Sequence, residues 1–457
     1  MKRVFSVLML MMLCIGTLTF AIKIQPAGGA GTIQEAQADW WPMFHHDLTH
    51  TGDSSSTAPS TNDTLWSYNT GGPVDSSPTV ADGVVYIGSW NNNIYALNAS
   101  SGALIWNYTT GGSIVFSSAA VANGVVYVGS GDGDVYAFNA STGTLIWNCK
   151  VGDLVWSSPA VANGMIYVGS GNSNVYALNA SNGALVWSYD TGDEVVSSPA
   201  IDNGVVFIGS LNGNVYALNA TNGAYVWSYQ TGSYVSSSPA VAGGVVYVAT
   251  DGCGNVEKDS NVYALNASTG ALLWNYPTGD FSSPAVANGL VYVGGSDWKL
   301  YALNATTGAC VWNYKTGEPS SPAVAGGLVF VGDANYGRVY ALDAFTGALI
   351  WSYQTGGSVS SSPAVSGGVV FIGSSDGKVY AFGSAADPPT TIPGDINGDG
   401  KVNLQDLVIF ANAYSSRPGD ANWNPNADIN GNGVVDLADL VLLANHYGQH
   451  YPKSLFL

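Results

Sequence analysis

Eight tryptophans recur in one local context: Trp66, Trp106, Trp147, Trp187, Trp227, Trp274, Trp312 and Trp351, at successive spacings of 40, 41, 40, 40, 47, 38 and 39 residues. A fixed period near forty means one supersecondary unit used again and again, which constrains the fold more tightly than any single motif. The script is clearest from Ser157 to Trp187, SSPAVANGMIYVGSGNSNVYALNASNGALVW. It divides into four strands: Ser158 to Val161, Met165 to Gly169, Val175 to Leu178 and Ala184 to Tyr189. β-Branched and aromatic residues fill these stretches, and Asn-Gly pairs between them supply the positive φ of tight hairpins.

Four antiparallel strands per unit predict a blade that cannot bury both of its faces alone and must pack against neighbours around a common axis. The expected fold is therefore all-β, an eight-bladed β-propeller of four-stranded antiparallel blades. A linear β-solenoid is the alternative, but its coils are shorter than forty residues. The first-strand motif begins at Ser76, Ser117, Ser157, Ser197, Ser237, Ser282, Ser320 and Ser361, and the eighth unit stops at Phe382 without its Trp strand. The orphan strand Leu65 to Tyr68 is predicted to complete that blade, closing the ring between the two ends of the repeat.

The repeats carry A-x-[DN]-x-x-[TSN]-G-x-x-x-W, complete at Ala96–Trp106, Ala137–Trp147, Ala177–Trp187, Ala217–Trp227, Ala264–Trp274, Ala302–Trp312 and Ala341–Trp351. On this motif the chain resembles the quinoprotein-like propellers with PQQ-type repeats over 39–382. The resemblance implies indoles docked between adjacent blades, a role that suits a large apolar ring with one N–H donor. It also raises the possibility of a quinone-dependent dehydrogenase. This chain has no Cys-Cys pair and no long insertions to build such a pocket, so the quinone PQQ is not expected. His45, His46 and His50, in WWPMFHHDLTHTG, are read as part of a structural opening segment similar to that of the same family rather than as metal ligands.

Function is sought on the face formed by the loops between second and third strands and between blades, where the repeats differ most. Trp90, Trp156, Tyr234, Trp298 and Tyr336 collect there, with Phe116 and Phe281, among amides such as Asn91, Asn172 and Asn212. Exposed rings beside amides suit sugar or polypeptide recognition. Acidic residues follow the Trp strands at Asp75, Asp153, Asp193, Glu194, Asp280 and Glu318, and keep a polysaccharide-active hydrolase or lyase as the alternative, since a glycosidase needs two carboxylates. Their blade-periodic recurrence reads more simply as turn capping, so catalysis is left open with the balance against it. The seven-residue excess between Trp227 and Trp274 falls on 251–261, a natural place for function. On the opposite face, Asn98, Asn139, Asn179, Asn219, Asn266 and Asn304 open Asn-Ala-Ser/Thr turns and read both as turn formers and as N-glycan acceptors.

Beyond the repeats, two loops match a calcium template. In the first, Asp395, Asn397, Asp399 and Asn403 stand at positions 1, 3, 5 and 9, Gly400 turns at 6, Lys401 offers its carbonyl at 7 and Asp406 closes at 12. The second, 33 residues on, has Asp428, Asn430, Asn432, Gly433, Val434, Asp436 and Asp439. Alternating hard oxygen donors closed by a carboxylate are what Ca²⁺ requires, one ion per loop. No entering helix precedes either loop, and an apolar helix follows each, Leu404 to Tyr414 and Leu437 to Tyr447. Loop plus exiting helix, twice, resembles the dockerin family over 394–447, a small α-helical domain that implies calcium-dependent docking into a cohesin on a scaffold protein. The positions that set partner choice in that family are here Leu404-Gln405 and Leu437-Ala438.

The remaining expectations concern placement. Lys2 and Arg3 followed by the apolar run Val4 to Ile22 predict an export signal, with cleavage open between Ala38 and a site nearer Ala21, or an uncleaved anchor as the one route to a membrane. The expected division is 1–38 export signal, 39–382 propeller, 383–393 proline-rich linker and 394–449 docking module. The destination is extracellular or at the cell surface. A net charge of −19 disfavours a nucleic-acid partner. Three cysteines after the leader imply no disulfide framework.

Overall fold

A computed structural model describes residues 40–251, 260–278, 282–383, 396, 402–420, 422–429, 433–437, 439–440 and 443. The expected export signal, the linker, Phe281, Asp280 and most of the 251–261 excess lie outside the described residues. Ala36–Ala385 form one compact unit, and Ala386–Leu457 belong to another.

The first unit is an eight-bladed propeller. Its strands assemble into eight sheets, seven of four strands and one of five. In the third blade the strands are Ala160–Ala162, Met165–Gly169, Asn174–Asn179 and Leu185–Asp190, within two residues of the sequence expectation at each end. Ring closure follows the expected route: Thr64–Asn69 pairs antiparallel with Lys378–Phe382, placing Trp66 opposite Ala381. The second and third strands are buried almost throughout, as in Val84–Gly88 and Asn93–Asn98, because they pack against neighbouring blades on both faces. The outermost strand alternates, burying its Trp and exposing the flanks, as in Leu185–Asp190.

The repeat motif is a description of the blade seam. In each turn the Asn Oδ1 accepts backbone N–H groups two or three residues on, as Asn98 does from Ser100 and Ser101. Asp343 plays the same part for Phe345 and Thr346, which explains the Asp/Asn exchange by turn capping. The following Ala offers its carbonyl to the indole of the preceding blade: Trp187 Nε1 donates to Ala220 at 2.9 Å, Trp106 to Ala140 at 2.8 Å. The strand-two tyrosine often shares that acceptor, Tyr167 donating to Ala220 at 3.0 Å, so both carbonyl lone pairs are used. The motif glycine has φ near +70°, and a Cβ there would strike the indole; at Gly183 it would lie 2.6 Å from Trp147.

The two serines that open each unit divide the labour. The first binds the blade to itself, Ser197 Oγ accepting from Gly209 N–H at 3.1 Å. The second binds blade to blade: the N–H of Ser158 donates to Ser198 Oγ at 2.9 Å, Ser198 to Ser238 at 2.9 Å, and Ser362 closes back onto Ser77 at 3.0 Å. Seven of the eight junctions carry this bond, forming a belt of hydroxyls around the axis.

The opening segment fills the axis. The carbonyls of Trp41, Pro42, Leu48, Thr49, Thr51 and Gly52 accept N–H groups in turn from Val80, Val121, Ile201, Val241, Val286 and Val324, each in the innermost strand of a different blade. Asp53–Ser54 then pairs in parallel with Ala323–Ala325, supplying the fifth strand of blade seven. The spiral needs positive φ at His45, His46 and His50. His45 and His50 are buried, with His50 Nδ1 3.2 Å from the Pro239 carbonyl, and Phe44 stacks on His45 at 4.3 Å between centroids. Burial pulls His45 down to about 3 and His50 to about 4, so both are neutral at ordinary pH. Burial alone would raise Asp47, but hydrogen bonds from His46, Thr51 and Thr49 outweigh it and hold the carboxyl below its usual range. All three belong to the opening segment, with His45 and His50 buried and His46 half-buried.

In the C-terminal unit one helix, α1 (Leu404–Ala413), follows the first loop, one residue shorter than expected, with Asn403 as N-cap and Asp406 completing a capping box. Its inner face, Leu407 and Phe410, packs with Ile396, Val402, Val435, Leu440 and Leu443 into a separate small core. Helical backbone resumes at Leu437. Cys149 and Cys310 are both free thiols, and Cys253 lies outside the described residues.

Candidate functional site: an axial funnel and a pair of acidic loops

Serines of six blades, Ser77, Ser158, Ser198, Ser238, Ser321 and Ser362, line one cavity of about 440 Å³, which therefore sits on the propeller axis. Phe44 of the opening segment contributes to it, and the inter-blade loops form its walls. Phe116 and Trp156 meet edge to face, with centroids 5.6 Å apart at 82°, and Tyr234 stands on another wall. Phe116 and Tyr234 keep about half of their surface exposed, at 50% and 44%. Apolar rings held open to solvent on a rigid rim are the ordinary furniture of a binding site.

The funnel is also acidic. Asp75, Glu194 and Asp251 line it, and no Lys or Arg is among its described lining residues. Asp75 is held on both oxygens, by Trp90 Nε1 at 2.8 Å and by Ser375 Oγ at 2.9 Å. Glu194 is exposed. The acids Asp153 and Asp193 instead accept the N–H of the residue that follows each, a turn-capping role.

The sequence-derived ligand face is thus only partly one site. Trp156 and Tyr234 come together in the funnel; Trp90 reaches it indirectly, through Asp75. Trp298 and Tyr336 do not line it. Trp298 is an exposed turn residue at φ +69°, bonded through its backbone to Gly295 and Thr316. Tyr336 is exposed over blade seven, its carbonyl accepting from Gln354 Nε2 at 2.6 Å. Sequence placed the five rings on one face but on two kinds of loop: Trp156 and Tyr234, on inter-blade connectors, reach the funnel, whereas Trp298 and Tyr336, on second-to-third hairpins, are not among its lining residues. Phe44 and the hydroxyl belt were missed; the repeated Ser-Ser was the signal, since a second invariant hydroxyl per blade exceeds what one strand start needs.

In the C-terminal unit, Asp395, Asn397, Asp399, Lys401, Asn430 and Asn432 lie outside the described residues. The rest occupy equivalent places in the two loops. Asp406 Oδ2 accepts the N–H of Asn403 at 2.9 Å, and Asp439 Oδ2 that of Asp436 at 2.9 Å, so the closing carboxylate is tied to the ninth position both times. Asp406 Oδ1 takes the N–H of Ile396 at 2.8 Å. Asp428 Oδ2 accepts from Gly433, whose φ of +84° makes the sharp turn at the sixth position. Asp406 and Asp439 are fully buried. Two desolvated carboxylates, each facing a loop rich in hard oxygen donors, fit a divalent oxygen-seeking cation, whose charge offsets the cost of their burial.

Comparison with known proteins agrees with both units. The family model described as outer membrane protein assembly factor BamB matches at residues 50–121, 109–198, 193–322 and 316–387. The dockerin type I domain matches 393–446. Among solved structures, BamB from Moraxella catarrhalis aligns with a TM-score of 0.62 at 20% identity, over 71% of this chain and 100% of that one. The quinohemoprotein alcohol dehydrogenase from Comamonas testosteroni gives 0.64 at 17% identity, over 80% and 85%. The computationally designed Ika8 protein gives 0.59 at 17%, over 70% and 98%. At these identities the likeness is one of fold. No curated protein sequence matches the chain.

Proposed function

The chain belongs to the family described as outer membrane protein assembly factor BamB, its propeller is fused to a type I dockerin, and from that premise we propose that it is a non-catalytic recognition subunit of an extracellular, cohesin-based assembly. A type I dockerin implies calcium binding and a cohesin partner, and dockerins occur in extracellular assemblies of the cellulosome type. The ions are held by Asp395, Asn397, Asp399, the Lys401 carbonyl, Asn403 and Asp406 in one loop, and by Asp428, Asn430, Asn432, the Val434 carbonyl, Asp436 and Asp439 in the other. The division proposed is a propeller over 39–382, a linker over 383–393 and a docking module over 394–449, delivered outside the cell by the leader 1–38.

The observation that carries recognition is the funnel. The exposed rings of Phe116 and Tyr234 and the half-buried ring of Trp156 share a cavity with a belt of serine hydroxyls on a rigid axis. That combination suits a glycan better than a polypeptide: sugar C–H faces stack on rings while their hydroxyls exchange hydrogen bonds with serines and carboxylates. The carboxylates Asp75, Glu194 and Asp251 favour, as the second reading, a polysaccharide-cleaving enzyme using the same cavity. A glycan array run beside a reducing-sugar assay separates the two. Saturable binding without product release supports recognition; release of reducing ends abolished by Glu194→Gln establishes the enzyme instead.

A further inference from the structure

Resting on the glycan reading of the axial funnel, we infer that its ligand is an amine-bearing sugar, a hexosamine unit with a free ammonium, rather than a neutral or acidic one. The inference comes from the order of burial of the polar groups that line the cavity. Deepest in the cavity lie the belt serines: Ser77, Ser158 and Ser198 are at least nine-tenths buried, each Oγ already accepts a backbone N–H, and among the described residues none of the three hydroxyls donates to a protein acceptor. Each therefore still has a hydrogen to give and lines the cavity, where an oxygen acceptor would satisfy it. Less buried are the carboxylates Asp75, Glu194 and Asp251, with no Lys or Arg among the described lining residues. Their negative charge favours a cation there, with the exposed Glu194 the most accessible of the three.

The rings reinforce this order. The Phe116–Trp156 pair and Tyr234 line the same cavity as the acids, and an aromatic face attracts an ammonium at short range. A lysine side chain satisfies only the carboxylates, because its tip has no acceptor for the hydroxyl belt. A uronic acid satisfies only the belt and meets three carboxylates in the same cavity. A hexosamine satisfies both, presenting hydroxyl oxygens at its tip, a C–H face to the rings and a protonated amine to the wall. The cavity, at about 440 Å³, is of the size that takes a small ligand.

The test uses the full chain with calcium, titrated with glucosamine oligomers, their N-acetylated counterparts, cello-oligosaccharides, polygalacturonate and a lysine-rich peptide, at about pH 6, below the usual amino-group range. The expected result is binding of the glucosamine oligomer about tenfold tighter than its N-acetylated form, an advantage that shrinks in raised salt and in Glu194→Gln. Glu194 is exposed, so that variant keeps the fold, which its thermal transition checks. Equal affinity for the amine and N-acetyl forms, or a preference for polygalacturonate, overturns the ammonium inference while leaving glycan recognition standing. Binding of the peptide alone, or of no glycan at all, overturns both.

Discussion

Trp351 donates its indole N–H to the carbonyl of Pro59 at 3.0 Å, across 292 positions of sequence. The other seven seam tryptophans each reach the Ala of the next blade's turn, but after Trp351 the next blade is the split eighth, and its third-to-fourth turn does not exist as continuous chain. The strap leading into Thr64–Asn69 brings Pro59 to the vacant acceptor position. One hydrogen bond thus repeats the seam where the repeat itself is broken.

Because that bond lies at the closure, Trp351→Phe is expected to lower stability by about 1–2 kcal/mol, the worth of a buried hydrogen bond plus some packing. Trp187→Phe should cost a similar amount. Denaturant titration of both variants checks the magnitudes. The two should differ in cooperativity: the closure variant loosens the split eighth blade, which hydrogen exchange reads as lost protection in 64–69 and 378–382.

Gly183→Ala should destabilise by about 2–3 kcal/mol, since the position needs φ +72° and the new methyl lands 2.6 Å from Trp147. Gly204→Ala is the control. It has a positive φ of +76° but open space around it, so only the backbone cost of about 1 kcal/mol is expected. Equal losses in the two would mean the indole does not rest on the glycine.

Stability should fall in acid through the axial segment. For His45 and His50 the folded pKa lies below the unfolded value of 6.5, so the unfolded chain binds more protons and stability rises with pH. Their contribution is complete above about pH 6.5 and is lost as pH falls toward 4 and 3. Asp47, also depressed, acts in the same direction below its own unfolded value. His45→Asn and His50→Asn retain a residue that tolerates positive φ. Each should flatten the dependence of the melting temperature on pH between about 6.5 and 4.

Chelation of calcium should abolish cohesin binding and unfold the C-terminal unit while leaving the propeller transition unchanged, as two separate cores predict. Asp406→Ala should reproduce part of that loss with calcium present, because it removes a capping-box carboxylate as well as the proposed calcium ligand. Calorimetry with and without chelator, beside a cohesin pull-down, measures both effects. Cohesin binding that survives chelation would count against calcium-dependent docking.

Trp156→Ala should reduce glycan binding at least tenfold without changing the melting temperature by more than a degree or two, since its ring packs edge-on against Phe116 at the funnel wall rather than in a blade core. Trp298→Ala, outside the funnel, should leave binding unchanged. Isothermal titration of the two variants tests which of the exposed rings contact ligand.

Much of this protein is written in its periodicities. Spacing of tryptophans, alternation within strands and the Asn-Gly turns specify the blade, its copy number and even the strand Leu65 to Tyr68 that closes the ring, because these are local or nearest-neighbour properties and repeat eight times. The twelve-residue oxygen pattern specifies the calcium loops in the same way. What tertiary structure alone decided is everything that depends on distance from the axis. Phe44, Trp156, Tyr234 and Asp75 are far apart in sequence and share a cavity only because successive inter-blade loops are carried around a circle and turned inward, while Trp298 and Tyr336, on the same face, end outside it. The opening histidines became internal for the same reason: a circular arrangement leaves unpaired N–H groups along its axis, and the segment that satisfies them is buried by doing so.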